Sequence, residues 1–231
     1  MIDRDELIAY LDEMLGPTLF QDYSPNGLQV SGKRSISRLV TGVSASLAMI
    51  EAAIAANADA LLVHHGFFWK GEDPCLTGYM RARVAKLLEH DINLIAYHLP
   101  LDAHETLGNN AMLAQVLGIM PTGTFSSGPG PDLGWLGYLA EPMPAQAFAE
   151  HIDHALARKP LLIAAGSSDV SRVAWCTGAA QDYLLAAAAR GVDTFITGEV
   201  SERTVHQARE LGVNVFIAGH HATERYGVKA L

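Results

Sequence analysis

Three short clusters of imidazole and carboxylate could do chemistry in this chain. They are Val63-His64-His65-Gly66, His98-Leu99-Pro100-Leu101-Asp102-Ala103-His104 and Gly219-His220-His221-Ala222-Thr223-Glu224. Each follows an apolar run that reads as a buried strand: Ala60-Leu61-Leu62-Val63, Leu94-Ile95-Ala96-Tyr97 and Val215-Phe216-Ile217-Ala218. Ligand sites in open parallel α/β sheets form beyond the carboxyl ends of the strands. Three such ends could therefore pool their donors in one crevice. Nitrogen and carboxylate donors without thiolate suit zinc, manganese, iron, cobalt or nickel about equally well. A carboxylate can bridge two cations, and a paired site activates water and polarises an electrophile. The simplest reading is a site for two divalent transition-metal ions, and hence a metal-dependent hydrolase of a small molecule.

Each cluster also has a plainer reading. Neighbouring strand residues point to opposite faces. His64 and His65 could both ligate only if the backbone turns there, which Gly66 permits; otherwise one is packed and the other solvated. Asp102, in a strand-exit loop, could merely cap a helix or form an Asx turn. His98, as the last strand residue, could be buried, and His104 reads as a solvated loop residue. His220 and Glu224 share a face if a helix starts near His220, while His221 points away.

Weaker candidates lie at the same edge. Glu199, after the strand Thr194-Phe195-Ile196-Thr197, could be a general acid or base, a partner of a ligand, or an N-cap neighbour. His206 could face the crevice or solvent. Lys70 and Arg225 could hold a substrate anion, although such side chains are more often solvated. There is no Walker-type glycine loop and no Gly-x-Ser-x-Gly elbow, which argues against P-loop and serine-based chemistry.

The elements that must position these residues alternate. Asp3 and Glu6 have capping-box-like spacing ahead of a helix that Gly16-Pro17 ends. A turn follows at 23–27. Strands are predicted over 39–43, 60–63, 92–98, 135–139, 161–165, 170–176, 194–197 and 213–218. Helices are predicted over 47–56, 81–89, 110–117, 145–156, 181–190 and 201–211. This succession implies an α/β chain of two lobes, each a largely parallel or mixed sheet flanked by helices. The Gly-, Pro-, Ser- and Thr-rich stretch 121–131 reads as a linker, placing an N-terminal lobe at 1–120 and a C-terminal lobe at 121–231. A last helix beginning near Thr223 breaks off after about two turns at Lys229-Ala230-Leu231, which reads as a shortened protein or a missing tail.

Composition bounds the rest. Hydrophobic residues make up 49% of the 231 and charged residues 18%, enough for a packed core. A net charge of -9 argues against nucleic-acid binding, which needs a basic footprint. Cys75 and Cys176 are far apart and make neither a disulfide framework nor a thiolate zinc site. They fit a reducing, cytoplasmic compartment. No apolar stretch reaches about 18 residues, so no membrane span is expected.

The motifs also resemble a known family. Ser24-Pro25-Asn26-Gly27-Leu28-Gln29-Val30, Val63-His64-His65-Gly66, Tyr97-His98-Leu99-Pro100-Leu101-Asp102-Ala103-His104, Leu107-Gly108-Asn109-Asn110, Thr197-Gly198-Glu199 and Gly219-His220-His221-Ala222-Thr223-Glu224 together resemble the NIF-three-like family. Its bacterial members are labelled GTP cyclohydrolase I type 2 homologues. The resemblance runs from near residue 24 to the end. It implies a two-lobed fold with a binuclear metal site between lobes, and ligands His64, His65, Asp102, His220 and Glu224. His98 would be a close neighbour of that centre. It further implies a toroidal homohexamer and an activity on a nucleotide or purine ring. Other members are described as interaction partners, so a non-catalytic metal-binding scaffold or metal-handling protein is the alternative. Many members continue beyond the point where this chain stops.

Overall fold

The computed structural model describes residues 1–128 and 130–231. The chain divides into two compact units, Met1–Leu101 and Asp102–Leu231.

The first unit runs β1 (Ile2–Asp3), α1 (Arg4–Leu15), a 3-10 turn (Pro17–Leu19), β2 (Gly27–Val30), β3 (Ser35–Ile36), β4 (Leu39–Ser44), α2 (Leu47–Ala55), β5 (Ala60–His65), α3 (Gly78–Glu89) and β6 (Asn93–Ala96). Asp3 caps α1 by accepting from the Asp5 N–H, and Gly16 closes it at φ 58°. The main sheet has the order β2-β6-β5-β4. Its β4, β5 and β6 are parallel, and β2 joins antiparallel. Strands β5 and β6 are buried at almost every position, as the near-continuous apolar runs of a parallel sheet require. Leu61, Val63, Leu94 and Ala96 pack with Ile50, Ala53, Val84 and Leu87 from α2 and α3.

The short helix α4 (Leu99–Ala103) carries the chain across the boundary between the units. The second unit continues with α5 (Asn109–Leu117), β7 (Ile119–Phe125), β8 (Gly134–Pro144), α6 (Ala145–Leu156), β9 (Leu161–Ile163) and β10 (Asp169–Cys176). After a 3-10 turn (Gln181–Tyr183) come α7 (Leu184–Ala188), β11 (Thr194–Thr197), α8 (Glu202–Leu211), β12 (Asn214–Ile217), α9 (His220–Glu224) and α10 (Gly227–Ala230). The sheet order is β7-β8-β10-β11-β12-β9. Only β10, β11 and β12 are mutually parallel; β7, β8 and β9 pair antiparallel.

Several expectations change here. The stretch 121–131 is not simply a linker: 121–125 belongs to β7, whose backbone bonds to β8. Position 129, within that stretch, lies outside the described residues. Helix α5 falls in the second unit rather than before a boundary at 120/121, because Leu113, Ala114 and Leu117 share a core with Phe148, Trp175 and Phe216. Asp102 lies in the helix α4 and not in a loop. His98 lies beyond β6, just before α4, and not at the strand's last position. The final helix is two short pieces, α9 and α10, separated by Arg225 and Tyr226. Among the described residues no helix is long and apolar enough to cross a membrane.

Candidate metal centre

In the first unit β5 runs through both histidines, Ser44 of β4 pairing opposite His65. A continuing strand does not hold the rings apart. His64 and His65 have ring centroids 4.5 Å apart, and both approach His98, at 5.1 and 5.6 Å. One ring nitrogen from each lies within 4.8 Å of the others, an arrangement that could hold a metal ion. The buried His64 has Nδ1 3.0 Å from the Tyr97 carbonyl. A carbonyl only accepts, so Nδ1 carries the proton and Nε2 is the nitrogen that presents a lone pair. His65 Nδ1 lies 3.1 Å from Ser44 Oγ.

The strand exit is clamped by the segment 24–30. Gln29 Oε1 accepts from the Phe67 N–H at 2.6 Å, and Gln29 Nε2 donates to the Pro25 carbonyl at 2.7 Å. A Cβ at Gly66 would lie 2.1 Å from Gln29 Oε1, so only glycine lets the chain leave the strand here.

Asp22 holds His98. Its Oδ1 lies 2.6 Å from His98 Nδ1, and its Oδ2 accepts from Asn26 Nδ2 and the Leu99 N–H, each at 2.9 Å. Burial works to raise the Asp22 carboxyl. The hydrogen bond and charge of His98, with the bonds from Asn26 and Leu99, outweigh it and hold the carboxyl below its usual range. Asn26 Oδ1 also accepts from the His98 N–H at 2.7 Å. Sequence reasoning missed Asp22; a lone aspartate in an irregular segment gives no periodic signal. The Trp69 ring lies 5.0 Å from that of His98 and 5.8 Å from that of His65.

The second unit presents carboxylates. Asp102 and Glu224 are 6% and 2% exposed, and a carboxylate oxygen of one lies within 4.8 Å of a carboxylate oxygen of the other. Asp102 Oδ1 accepts from Asn109 Nδ2 at 2.9 Å and from Thr177 Oγ1 at 3.3 Å. Asn110 Nδ2 donates to the Asp102 carbonyl, and Asn110 Oδ1 accepts from the Thr177 N–H. The motif 107–110 therefore positions Asp102 rather than ligating. Helix α9 starts at His220, which puts His220 Nε2 3.1 Å from Glu224 Oε2, one turn on. On its other side His220 Nδ1 lies 2.6 Å from Glu199 Oε1, so Glu199 stands as a partner of His220. The hydrogen bond to Glu224 is the main cause that pushes His220 up to about 9, against burial and with help from Glu199. A bound cation would have to displace that proton.

Two glycines make room for this group. Gly178 has φ +70°, and a Cβ there would lie 2.0 Å from Glu224 Oε1 and 3.2 Å from His220 Nε2. A Cβ at Gly198 would lie 2.7 Å from the His220 Cα. Neither constraint is visible without the fold.

The remaining candidates stand apart. His104 Nδ1 accepts from the Thr106 and Leu107 N–H groups and so closes a turn. His206, His221 and Lys70 are exposed. The guanidinium of Arg225 donates to the Leu156 carbonyl and the Tyr226 hydroxyl.

In chemistry the residues fit a divalent cation. Three imidazoles converge in one unit, and in the other two buried carboxylates lie beside an imidazole; nitrogen and oxygen donors of this kind suit first-row metals.

The profile of Duf34/NIF3 (NGG1p interacting factor 3) matches residues 2–231. The chain belongs to the DUF34/NIF3 family. Within that family it is 54% identical to a protein of Allochromatium vinosum named GTP cyclohydrolase 1 type 2 homolog, over 100% of this chain and 90% of the relative. A solved structure described as protein ybgI, of unknown function, superposes with a TM-score of 0.95 at 49% identity, covering 99% of this chain and 91% of that one. A crystal structure of a Thermus thermophilus protein gives 0.87 at 36% identity, covering 99% of this chain and 91% of that one.

Proposed function

We propose that this protein is a binuclear metal-dependent hydrolase of a small molecule, with a nucleotide or purine ring as its substrate class. The observation that carries the reading is the pair of buried carboxylates, Asp102 and Glu224, whose oxygens approach within 4.8 Å. Two buried anions so close repel one another unless a cation or a proton lies between them. The names of the relatives supply the substrate class.

The proposed ligands are His64 and His65 from the first unit, and Asp102, His220 and Glu224 from the second. Divalent metals supply, when bound, water of lowered pKa and a polarised electrophile. The chain's own residues do the rest. His64 is oriented by the Tyr97 carbonyl and Asp102 by Asn109 and Thr177. His98, oriented at Nδ1 by Asp22, exchanges protons through Nε2. Glu199 orients His220 and accepts its Nδ1 proton. A closed homohexameric ring and a cytoplasmic location complete the proposal.

The test is elemental analysis of the purified protein, joined to a hydrolase screen with metal-free protein as control. About two transition-metal ions per chain and chelator-sensitive turnover are expected. Metal loss in Asp102→Ala and Glu224→Ala would support both carboxylates as ligands. Metal retained at full stoichiometry in both would sink that assignment. Bound metal with no turnover above the metal-free protein would favour the scaffold reading. A light-scattering mass of one chain would refute the ring.

A further inference from the structure

A pocket of about 300 Å³ lies in the second unit, its lining including Ala157, Arg158, Gly219, His220, His221 and Arg225. Two guanidinium groups line it, and no acidic residue does. Among the described residues neither Arg158 nor Arg225 pairs with a carboxylate. Arg225 is only partly exposed, fixed by the Leu156 carbonyl and stacked 5.3 Å from the centre of the Tyr226 ring. A guanidinium drawn partly out of water without a counter-ion is costly, and an arriving anion relieves that cost.

The backbone on both walls is held in unusual conformations. Ala157 closes α6 at φ 46°, the left-handed region where glycine is the ordinary occupant. Arg158 follows immediately. Gly219 has φ +97°, and a Cβ there would lie 2.0 Å from Arg158 Nε. Glycine therefore lets the guanidinium lie against the backbone that enters α9.

We propose that this pocket is an anion subsite that takes a phosphate group, with Arg158 and Arg225 as its two forks. Guanidinium matches phosphate oxygens in bidentate geometry, which a lysine would not. The inference rests on the hydrolase reading and deepens it. His220 belongs both to the pocket lining and to the proposed ligand set, so a phosphate anchored here places the rest of its molecule beside that residue. Two sources share the chemistry: free inorganic phosphate, and the phosphate of a nucleotide.

Isothermal titration of the full chain, as purified and after chelation, with inorganic phosphate, guanosine monophosphate and guanosine tests this. Phosphate-bearing ligands should bind in both states, and guanosine should not. Arg158→Ala should weaken that binding about tenfold or more. Arg158 is exposed, so the variant should fold, which its unchanged thermal midpoint would show. Arg225→Lys, which keeps the charge and loses the fork, should also weaken it. Tighter binding of guanosine monophosphate than of inorganic phosphate would identify the nucleotide as the source; equal binding would identify the free ion. No phosphate binding, or unchanged affinity in Arg158→Ala, overturns the subsite. Binding that vanishes on chelation yet ignores Arg158→Ala would place the phosphate on the metal and overturn it too. Arg158-dependent binding without any turnover would instead count against the hydrolase reading alone.

Discussion

Asp22 and His98 meet at 2.6 Å, carboxylate oxygen to Nδ1, although 76 residues separate them. The pair fixes which imidazole nitrogen faces the His64 and His65 rings. It also ties the segment before β2 to the start of α4, because the same carboxylate accepts the Leu99 N–H.

Replacing Asp22 by Ala leaves His98 Nδ1, Asn26 Nδ2 and the Leu99 N–H without their acceptor. The cost should be about 2–3 kcal/mol, that of stranding partly buried donors. A urea midpoint equal to that of the wild type would contradict the assignment. Asp22→Ala should also weaken metal-dependent turnover about 10–100-fold through the misoriented His98.

His98→Ala should lower turnover about 10²–10⁴-fold while metal stays bound, the usual contribution of a positioned acid or base. His104→Ala should do far less, because His104 closes a turn through its Nδ1. Loss of metal from His98→Ala would make His98 a ligand, a role its nitrogen's position within 4.8 Å of those of His64 and His65 permits.

Gly178→Ala removes no ligand. Its methyl group would fall 2.0 Å from Glu224 Oε1 at a backbone φ of +70°. We expect metal content to drop and stability to fall by about 1–3 kcal/mol from overpacking and the left-handed backbone. Full metal content together with a wild-type melting temperature would show that Glu224 is not held against that glycine.

Asp59 sets a pH dependence away from the centre. The Lys33 ammonium and the Ser37 and Arg38 N–H groups lower its carboxyl from 3.8 to about 2, against burial. A depressed carboxyl contributes stability that is present above 3.8 and is lost as pH falls through about 2. Asp59→Asn should therefore destabilise the protein at pH 6 more than at pH 2. Denaturant midpoints of the two proteins across that range measure it; a difference that stays constant with pH would be the contrary result.

Strands β4, β5, β6, β11 and β12, helices α1 and α6, and the donors crowded at strand ends were all legible along the chain. Those signals are local: apolar runs of fixed length, capping residues, and histidines or carboxylates directly after the runs. The four-residue spacing of His220 and Glu224 likewise announced their shared helical turn. A largely parallel or mixed sheet was expected, but which strands of the second sheet run antiparallel was not legible, because an apolar strand reads the same parallel or antiparallel. Nor was β7 at 121–125, since pairing with β8 overrides a composition rich in turn residues. At the site, folding alone revealed Asp22 on His98, Asn109 and Thr177 on Asp102, Glu199 on His220, and the space at Gly178. Apart from Asn109, seven residues on from Asp102, each of these is a contact between residues distant in the chain or a clash that would occur only in three dimensions. A one-dimensional pattern names the donors; the packing around them decides which atom each one presents.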